Sequence, residues 1–355
     1  MLSRGRSSAD QLIGVARRRT ALDEFGETAF LGSLQNFLDA CFEEANLGLV
    51  GRLATRWDIV RFLSHLLRLH DEELRAPEIL DQPVTNPIFI SGLPRSGTTF
   101  LHSLLAEDPA NLVPRVWQTI HPYPLKRGPH RDSRAKRVAR QLRLFALLAP
   151  NFRRMHPIDA ASPQECSEIT AHVFALAAIR TVYPDARLVL VHRDPLAVLL
   201  SVARLTETLR RPFTRSIDKV EIGRQDSDRW LTATELMIAA AQEHHFAEPI
   251  FHVHYLDLIQ DPVGTVAALY RHFGETLQPA VAARIGRLVE AKPNGGYRAH
   301  GSRLEDYGLD AALERERYTR YMAHFGIRPE PEARAAQPAK SAPVLASRRS
   351  AKPVE

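Results

Sequence analysis

The chain has 355 residues, of which 45% are apolar and 25% are charged. This composition is typical of a globular protein with one large domain, and it excludes a fibrous or wholly disordered chain. The formal net charge is +6 and the sequence pI is near 9.5, which favours anionic partners. Because the charges are dispersed along the chain, an anion the size of a nucleotide fits them as well as a nucleic acid does.

The cysteine content and the N-terminal segment bear on the cellular compartment. Cys41 and Cys166 lie far apart, with no CxxC motif or Cys/His cluster, so neither a disulfide framework nor a zinc site is predicted. The first residues are basic but lack a long apolar core, and no uncharged apolar stretch is long enough to cross a bilayer. We expect no signal peptide, no membrane span and a cytoplasmic protein.

Apolar residues follow helical spacing at the start of the chain, from about residue 8 to residue 80. The spacing is carried by Phe30, Leu34, Phe37, Leu38 and Cys41, and then by Phe62, Leu63, Leu66 and Leu67. No good strand lies among them. The sequence therefore predicts a helical N-terminal segment over residues 8–84, before an α/β domain over residues 85–330.

Three short apolar segments predict buried parallel strands. They are Pro87–Ser91, Ala186–His192 and Ile250–Tyr255. Helices are predicted from about Gly97 to Glu107, from Ala135 to Leu148, from Pro195 onward, and after Asp261-Pro262 to near Gly274. Strands separated by helices predict an α/β fold with a central parallel sheet flanked by helices, of the P-loop type.

Two polar stretches differ in composition from the rest of the chain. From about Arg334 the composition changes to Ala, Pro, Ser and Lys, so residues 331–355 are predicted to form a disordered tail. The arginine-rich stretch from Lys126 to Arg143 lacks interleaved aromatic residues. It is more typical of a solvated helix face, or of the rim of a binding site for an anionic substrate, than of a nucleic-acid site.

The strongest motif is Gly92–Thr99, GLPRSGTT, between the first predicted strand and its helix. Its glycines let the backbone curl, so that successive N–H groups and the positive helix end form a nest for an anion. The spacing matches a P-loop, except that Thr98 stands where the P-loop lysine would be. A purely structural glycine-rich turn is the alternative interpretation.

The missing lysine distinguishes two kinds of group transfer. Nucleoside-triphosphate chemistry normally uses that lysine and a bound Mg²⁺ to neutralise the γ-phosphate. A sulfuryl group carries less charge, and oriented donors with one or two cations can transfer it without a metal. Arg95, Thr98 and Thr99 are therefore expected to bind a phosphosulfate.

A second motif, Val191-His-Arg-Asp-Pro195, follows the second predicted strand. Arg193 lies at the carboxyl end of that strand, where open α/β sheets bind ligands, and Ser201 follows two turns into the next helix. An arginine fork and a hydroxyl can hold a second phosphate. Alone the pattern is weak, because an arginine before Asp-Pro often forms an ion pair at a helix start.

Together these segments resemble the bacterial-type cytosolic sulfotransferases that use 3′-phosphoadenosine-5′-phosphosulfate (PAPS). The resemblance covers about residues 8–328 and is carried by PIFISGLPRSGTT, DPANLVPRVWQ, HPIDAASPQECSEI, YPDARLVLVHRDP, YLDLIQDP and HGSRLEDYGL. It implies a P-loop-like fold and transfer of a sulfuryl group to a small-molecule or lipid acceptor, usually at a hydroxyl, with no metal.

The resemblance also assigns residues to the two ends of the nucleotide. The 5′-phosphosulfate is implied to bind Arg95, Ser96, Gly97, Thr98 and Thr99, with Arg95 also serving catalysis. The 3′-phosphate is implied to bind Arg193 and Ser201. His172 is the candidate base, with a capping or surface role as its alternative, and His156 and Glu165 are expected to line the acceptor pocket.

Two departures from the family pattern stand out. Gln118 stands where relatives usually have a glutamate after the tryptophan, so a substrate-binding residue there cannot accept a proton. Relatives also carry a further stretch, with a helical acceptor region and an LKSPxH-like strand end, where residues 167–172 here run straight into residues 173–183. The resemblance therefore implies an internal deletion near the acceptor site.

Other functions remain open at this point. An inactive relative that keeps its nucleotide loops is one alternative, because a fold can persist without its chemistry. A P-loop kinase is another, although the loop lysine and a clear acidic strand end for Mg²⁺ are absent. His252 and His254 alternate on a predicted strand, but no third ligand with metal spacing accompanies them, so no metal site and no nucleic-acid partner are predicted.

Overall fold

The computed structural model describes residues 6–123, 133–148, 158–164, 179, 182–242, 249–291 and 302–330. One parallel sheet contains β1 (Ile88–Gly92), β2 (Arg187–His192) and β3 (Phe251–His254), in that order. All three predicted strands are confirmed. The third is shorter than predicted, because Tyr255 does not extend it but begins a helix.

The central strand β2 is buried on both of its faces. Leu188 and Leu190 pack into one apolar cluster, whereas Val189 and Val191 pack into another on the opposite side. Successive side chains of a strand point to opposite faces, so a strand covered on both sides needs an uninterrupted apolar run. This explains why the second predicted strand shows no alternation of polar and apolar residues.

Helices cover both faces of the sheet. In the described ranges they are α1 (Arg6–Thr20), α2 (Phe30–Glu43), α3 (Leu49–Arg75), α4 (Thr98–Leu105), α5 (Val116–Ile120), α6 (Arg134–Leu148), α7 (Pro195–Arg210), α8 (Lys219–Gln242), α9 (Tyr255–Gln260), α10 (Pro262–His272), α11 (Pro279–Ala291), α12 (Ala311–Arg317) and α13 (Thr319–Phe325). Residues of α4, α10 and α11 fill the cluster on one face, and residues of α7, α8 and α13 fill the other. The predicted α/β class is confirmed.

The N-terminal helices form a small core of their own. Leu12, Leu38, Leu63 and Leu67 are buried between α1, α2 and α3, as the helical spacing predicted. Phe37 is instead 51% exposed, since it faces the cleft described below. None of the helices in the described ranges has the length and apolar character needed to cross a lipid bilayer.

The start of α3 is fixed against the chain that follows α7. The Gly48 N–H donates to the Phe213 carbonyl at 2.8 Å, and the Asn46 amide donates to the Ser216 hydroxyl at 2.9 Å. A Cβ at Gly51 would lie 2.0 Å from the Phe213 oxygen, so a side chain there would force the backbones apart. This close contact holds the start of α3 against the segment that follows α7.

Candidate active site

The loop between β1 and α4 is shaped by two glycines. Gly92 has φ +151° and Gly97, which caps the start of α4, has φ +102°. A Cβ at Gly92 would lie 2.4 Å from the Val191 carbonyl oxygen, and one at Gly97 would lie 3.0 Å from the Tyr255 ring. The predicted strand–loop–helix arrangement is therefore present, and both glycines permit close backbone packing around the loop.

The two sequence motifs meet at this loop. Arg95 has a left-handed φ of 65°, and its Nε donates to the Ser201 hydroxyl on α7 at 3.0 Å. The Arg193 Nη1 donates to the Arg95 carbonyl oxygen at 2.6 Å. Because β1 and β2 are parallel neighbours, their carboxyl ends lie at the same edge of the sheet, which brings these side chains together.

Ser96 lies beneath the surface of the loop. The residue is fully buried, and its hydroxyl has no hydrogen-bond partner among the described residues. A buried hydroxyl without a partner costs free energy, so such groups often mark a place where a ligand or water completes the site. Thr98 and Thr99, in the first turn of α4, line the neighbouring cleft.

The Arg193 side chain is held by a carboxylate from the C-terminal part of the described chain. Its Nε and Nη2 donate to the two carboxylate oxygens of Glu330 at 2.6 and 2.9 Å, and its guanidinium lies 3.9 Å from the Tyr255 ring centroid. Burial lowers the pKa of Arg193, but the Glu330 ion pair outweighs burial and raises it overall. The arginine fork is thus already shaped around a bidentate anion.

Asp194, the next residue, has a different role. Its carboxylate accepts from the Leu196 N–H at 3.0 Å and so caps α7, and it also accepts from the Glu330 N–H at 2.8 Å. Arg315 lies 3.3 Å from the same carboxylate. The ion pair considered as the alternative role of Arg193 is thus present, with Glu330 as its partner, and the Nη1 of the same arginine donates to the loop.

A further arginine lies one turn beyond Ser201. Arg204 lines the same cleft, and no carboxylate lies within ion-pair distance of it among the described residues. Burial lowers the pKa of Arg204, and the positive charge of Arg95 contributes in the same direction against the opposing effects of Tyr307 and Glu207. The guanidinium groups of Arg95 and Arg204 repel each other, so binding of one anion to both groups would be favourable.

The cleft beside the loop has a volume of about 2460 Å³. Its polar wall contains Arg95, Gly97, Thr98, Thr99, Arg193 and Ser201. Its apolar wall includes Phe37, Trp57, Leu144, Phe145, Leu200 and Phe213. Typical small-molecule pockets have volumes of about 300–1,000 Å³, so this cleft has room for more than one ligand.

The remaining predicted site residues are Gln118, His156, Glu165 and His172. The Gln118 side chain accepts from the Arg115 N–H at 2.8 Å and caps α5, and Gln118 is not among the residues of the cleft wall. Its predicted substrate contact stays a prediction. His156, Glu165 and His172 lie outside the described residues, so their predicted roles stay predictions.

Three residues near the loop were not predicted from the sequence: Glu330, Arg204 and Tyr255. Tyr255 could have been expected, since it follows β3 at the sheet edge where ligands bind. Arg204 was signalled by its spacing of three residues from Ser201 on one helix face. Glu330 gave no signal, because its partner Arg193 is 137 residues away and no periodic pattern connects them.

The histidines of the neighbouring strands β2 and β3 pack against each other. His192 stacks on His252, and the two rings share a hydrogen bond of 2.8 Å between Nε2 and Nδ1. Burial and then the neighbouring histidines lower the pKa of His192 to about 2, so this ring is neutral at physiological pH. Within the described ranges, no group of three or more His, Cys, Asp or Glu side chains is arranged to hold a metal ion.

The fold and the loop define the class of protein. It is a P-loop-like α/β protein in which a glycine-containing loop and two arginines meet at the carboxyl edge of a parallel sheet. The family model for the sulfotransferase family matches residues 87–279, more than half of the chain. The chain therefore belongs to the sulfotransferase family.

Solved structures agree with this family. Sulfotransferase STF9 from Mycobacterium avium superposes with a TM-score of 0.77 at 22% identity, covering 90% of this chain and 97% of the other. Sulfotransferase STF1 from Mycobacterium tuberculosis H37Rv superposes with a TM-score of 0.69 at 26% identity, covering 87% of this chain and 97% of the other. No curated protein matched the sequence.

Proposed function

We propose that the protein transfers a sulfuryl group from PAPS to the hydroxyl of a small-molecule or lipid acceptor. The observation that carries this proposal is the direct contact between the two motifs, in which Arg95 donates to Ser201 and Arg193 donates to the Arg95 carbonyl. One nucleotide with phosphates at both its 5′ and 3′ positions would bridge the β1–α4 loop and the Arg193 fork. A ligand with a single phosphate would use only half of this arrangement.

The residues of the loop fit the phosphosulfate end of the donor. The backbone around Gly97 opens the N-terminus of α4 toward the cleft, Thr98 and Thr99 supply hydroxyls, and Arg95 supplies a cation. The unpartnered Ser96 hydroxyl lies within the same loop. Oriented donors of this kind stabilise the charge that develops on the leaving phosphate during sulfuryl transfer.

The Arg193 fork fits the 3′-phosphate end. Glu330 holds both of its forked nitrogens with the two oxygens of one carboxylate, which is the geometry that a phosphate group would also present. Binding of the 3′-phosphate would therefore compete with Glu330 for Arg193. In the absence of the nucleotide, the Glu330 carboxylate holds the Arg193 guanidinium in place.

The alternatives are less well supported. A P-loop kinase would place a lysine at the position of Thr98. For the inactive relative, the predicted deletion between residues 167 and 183 falls mostly outside the described residues and stays a prediction. The match extends over 97% of the chain of sulfotransferase STF1 from Mycobacterium tuberculosis H37Rv, which leaves little of that chain without a counterpart here. His172 remains our candidate base by resemblance.

A thermal-shift measurement tests the proposal. We expect 3′-phosphoadenosine-5′-phosphate (PAP) to raise the melting temperature, because a ligand that binds only the folded state stabilises that state by mass action. At 100 times its dissociation constant the stabilisation is about 2.7 kcal/mol. EDTA should leave the shift unchanged. A shift that occurs with ATP and Mg²⁺ but not with PAP would favour the kinase and refute the proposal.

A further inference from the structure

A second cavity lies beside the main cleft, and its described wall comes from α1, α3, α6 and the residues just after α5. Its volume is about 160 Å³, enough for a phosphate, sulfate or carboxylate group. Trp57, Arg61 and Gln141 line both spaces, so the cavity and the cleft share a wall. A molecule in the cleft is therefore adjacent to this cavity.

The cavity has a cationic lining. Arg19, Arg61, Arg68 and Arg137 all contribute to its wall, and no aspartate or glutamate lines it among the described residues. Arg61 is paired with Asp58 at 2.7 Å. For Arg19, Arg68 and Arg137, no described carboxylate lies within ion-pair distance. This concentration of like charge in a small space favours an anion.

Two histidines form the buried end of the cavity. His121 is 4% exposed, and both of its ring nitrogens lack a hydrogen-bond partner among the described residues. The His65 ring lies 5.7 Å from the His121 ring and 5.3 Å from the Tyr123 ring, centroid to centroid. A buried imidazole N–H without a partner costs free energy that a hydrogen bond to a ligand would recover.

The protonation state of these histidines suits the same ligand. Burial, followed by Arg137 and Arg61, lowers the pKa of His121 to about 4, and burial, followed by Arg61, lowers the pKa of His65 to about 3. Both rings are therefore neutral at physiological pH, and each has one N–H group to donate. The positive charge of the cavity thus comes from the arginines, which stay charged at any physiological pH.

We propose that this cavity binds an oxyanion group at one end of the acceptor whose apolar part lies in the main cleft. The apolar part would pack on the cleft residues Phe37, Phe145 and Phe213. Identifying the ligand as the acceptor rests on the proposed sulfotransferase function. The substrate class is then an amphipathic hydroxyl compound that carries a phosphate, sulfate or carboxylate.

Titration calorimetry on the full chain tests this proposal with octyl phosphate, octanol and inorganic phosphate as probes. Saturating PAP is added in one arm to fill the donor loop. We expect octyl phosphate to bind at least about tenfold more tightly than either of the other probes, with or without PAP. Arg68→Gln and Arg137→Gln should each weaken octyl phosphate about tenfold, the usual loss for a charge-assisted hydrogen bond.

Arg140→Gln is the matched control, because Arg140 is exposed on the same helix as Arg137 but lines neither space. It should leave octyl phosphate binding unchanged. The proposal would be overturned if Arg68→Gln, Arg137→Gln and the parent bound octyl phosphate with equal affinity. It would also be overturned if inorganic phosphate bound as tightly as octyl phosphate. If PAP failed to bind while the Arg137 dependence persisted, the donor assignment would fail and the anion site would stand.

Discussion

Replacing Arg193 by alanine is expected to weaken PAP binding about 30-fold, because loss of a charge-assisted hydrogen-bond partner costs about 2 kcal/mol. Adenosine-5′-phosphosulfate, which lacks the 3′-phosphate, should bind parent and variant almost equally. Dissociation constants from calorimetry for both nucleotides give the comparison directly. Equal losses for the two nucleotides would show that Arg193 only supports the fold.

Glu330 supplies the control for this experiment. Glu330→Gln removes the carboxylate that holds the Arg193 fork, so we expect PAP to bind several-fold more tightly to this variant than to the parent. Arg193→Ala also leaves the Glu330 carboxylate without its partner, which costs stability by itself. The Arg193→Ala/Glu330→Gln double variant lacks both charges, so it separates the loss of the phosphate contact from the cost of an unpaired carboxylate. We expect this variant still to bind PAP with little preference over adenosine-5′-phosphosulfate.

The second large effect concerns the stability of the loop. Gly92→Ala is expected to lower the free energy of unfolding by about 3 kcal/mol, since it combines an unfavourable backbone conformation with overpacking. The new Cβ would lie 2.4 Å from the Val191 carbonyl oxygen, a backbone atom of the neighbouring strand. Urea denaturation should show a lower midpoint with an unchanged slope.

Gly274 is the matched control for the backbone effect. It also has a positive φ, +74°, but no atom lies within 4 Å of the position that its Cβ would take. Gly274→Ala should therefore cost only about 1 kcal/mol, the penalty of the left-handed conformation. If the two variants lost the same small amount of stability, the close contact between Gly92 and β2 would not be a constraint on the loop.

The sheet and the two motifs at its carboxyl edge were predictable because their signals are local. A strand buried on both faces leaves a continuous apolar run, as in Ala186–His192, and a phosphate loop must follow such a strand with glycines at fixed spacing. The meeting of Arg95, Arg193 and Ser201 then follows from the geometry of parallel strands. For these elements, the order along the chain was enough to predict proximity.

Other parts of the site depend on contacts that no local pattern encodes. The pairing of Glu330 with Arg193 depends on how the C-terminal segment returns to the sheet. The arginine cavity likewise gathers Arg19, Arg68 and Arg137 from three helices, so only the folded chain shows the cluster.

Sulfuryl transfer from PAPS by this chain can be tested directly. The most direct measurement is the release of PAP from PAPS, and the matching formation of a sulfated product, by the full chain with a library of hydroxyl acceptors. We predict equimolar PAP and product with at least one acceptor, in the presence of EDTA, and none with the Arg95→Ala/Arg193→Ala variant. Tight PAP binding without turnover on any acceptor, or turnover equal to the parent in that variant, would contradict the claim.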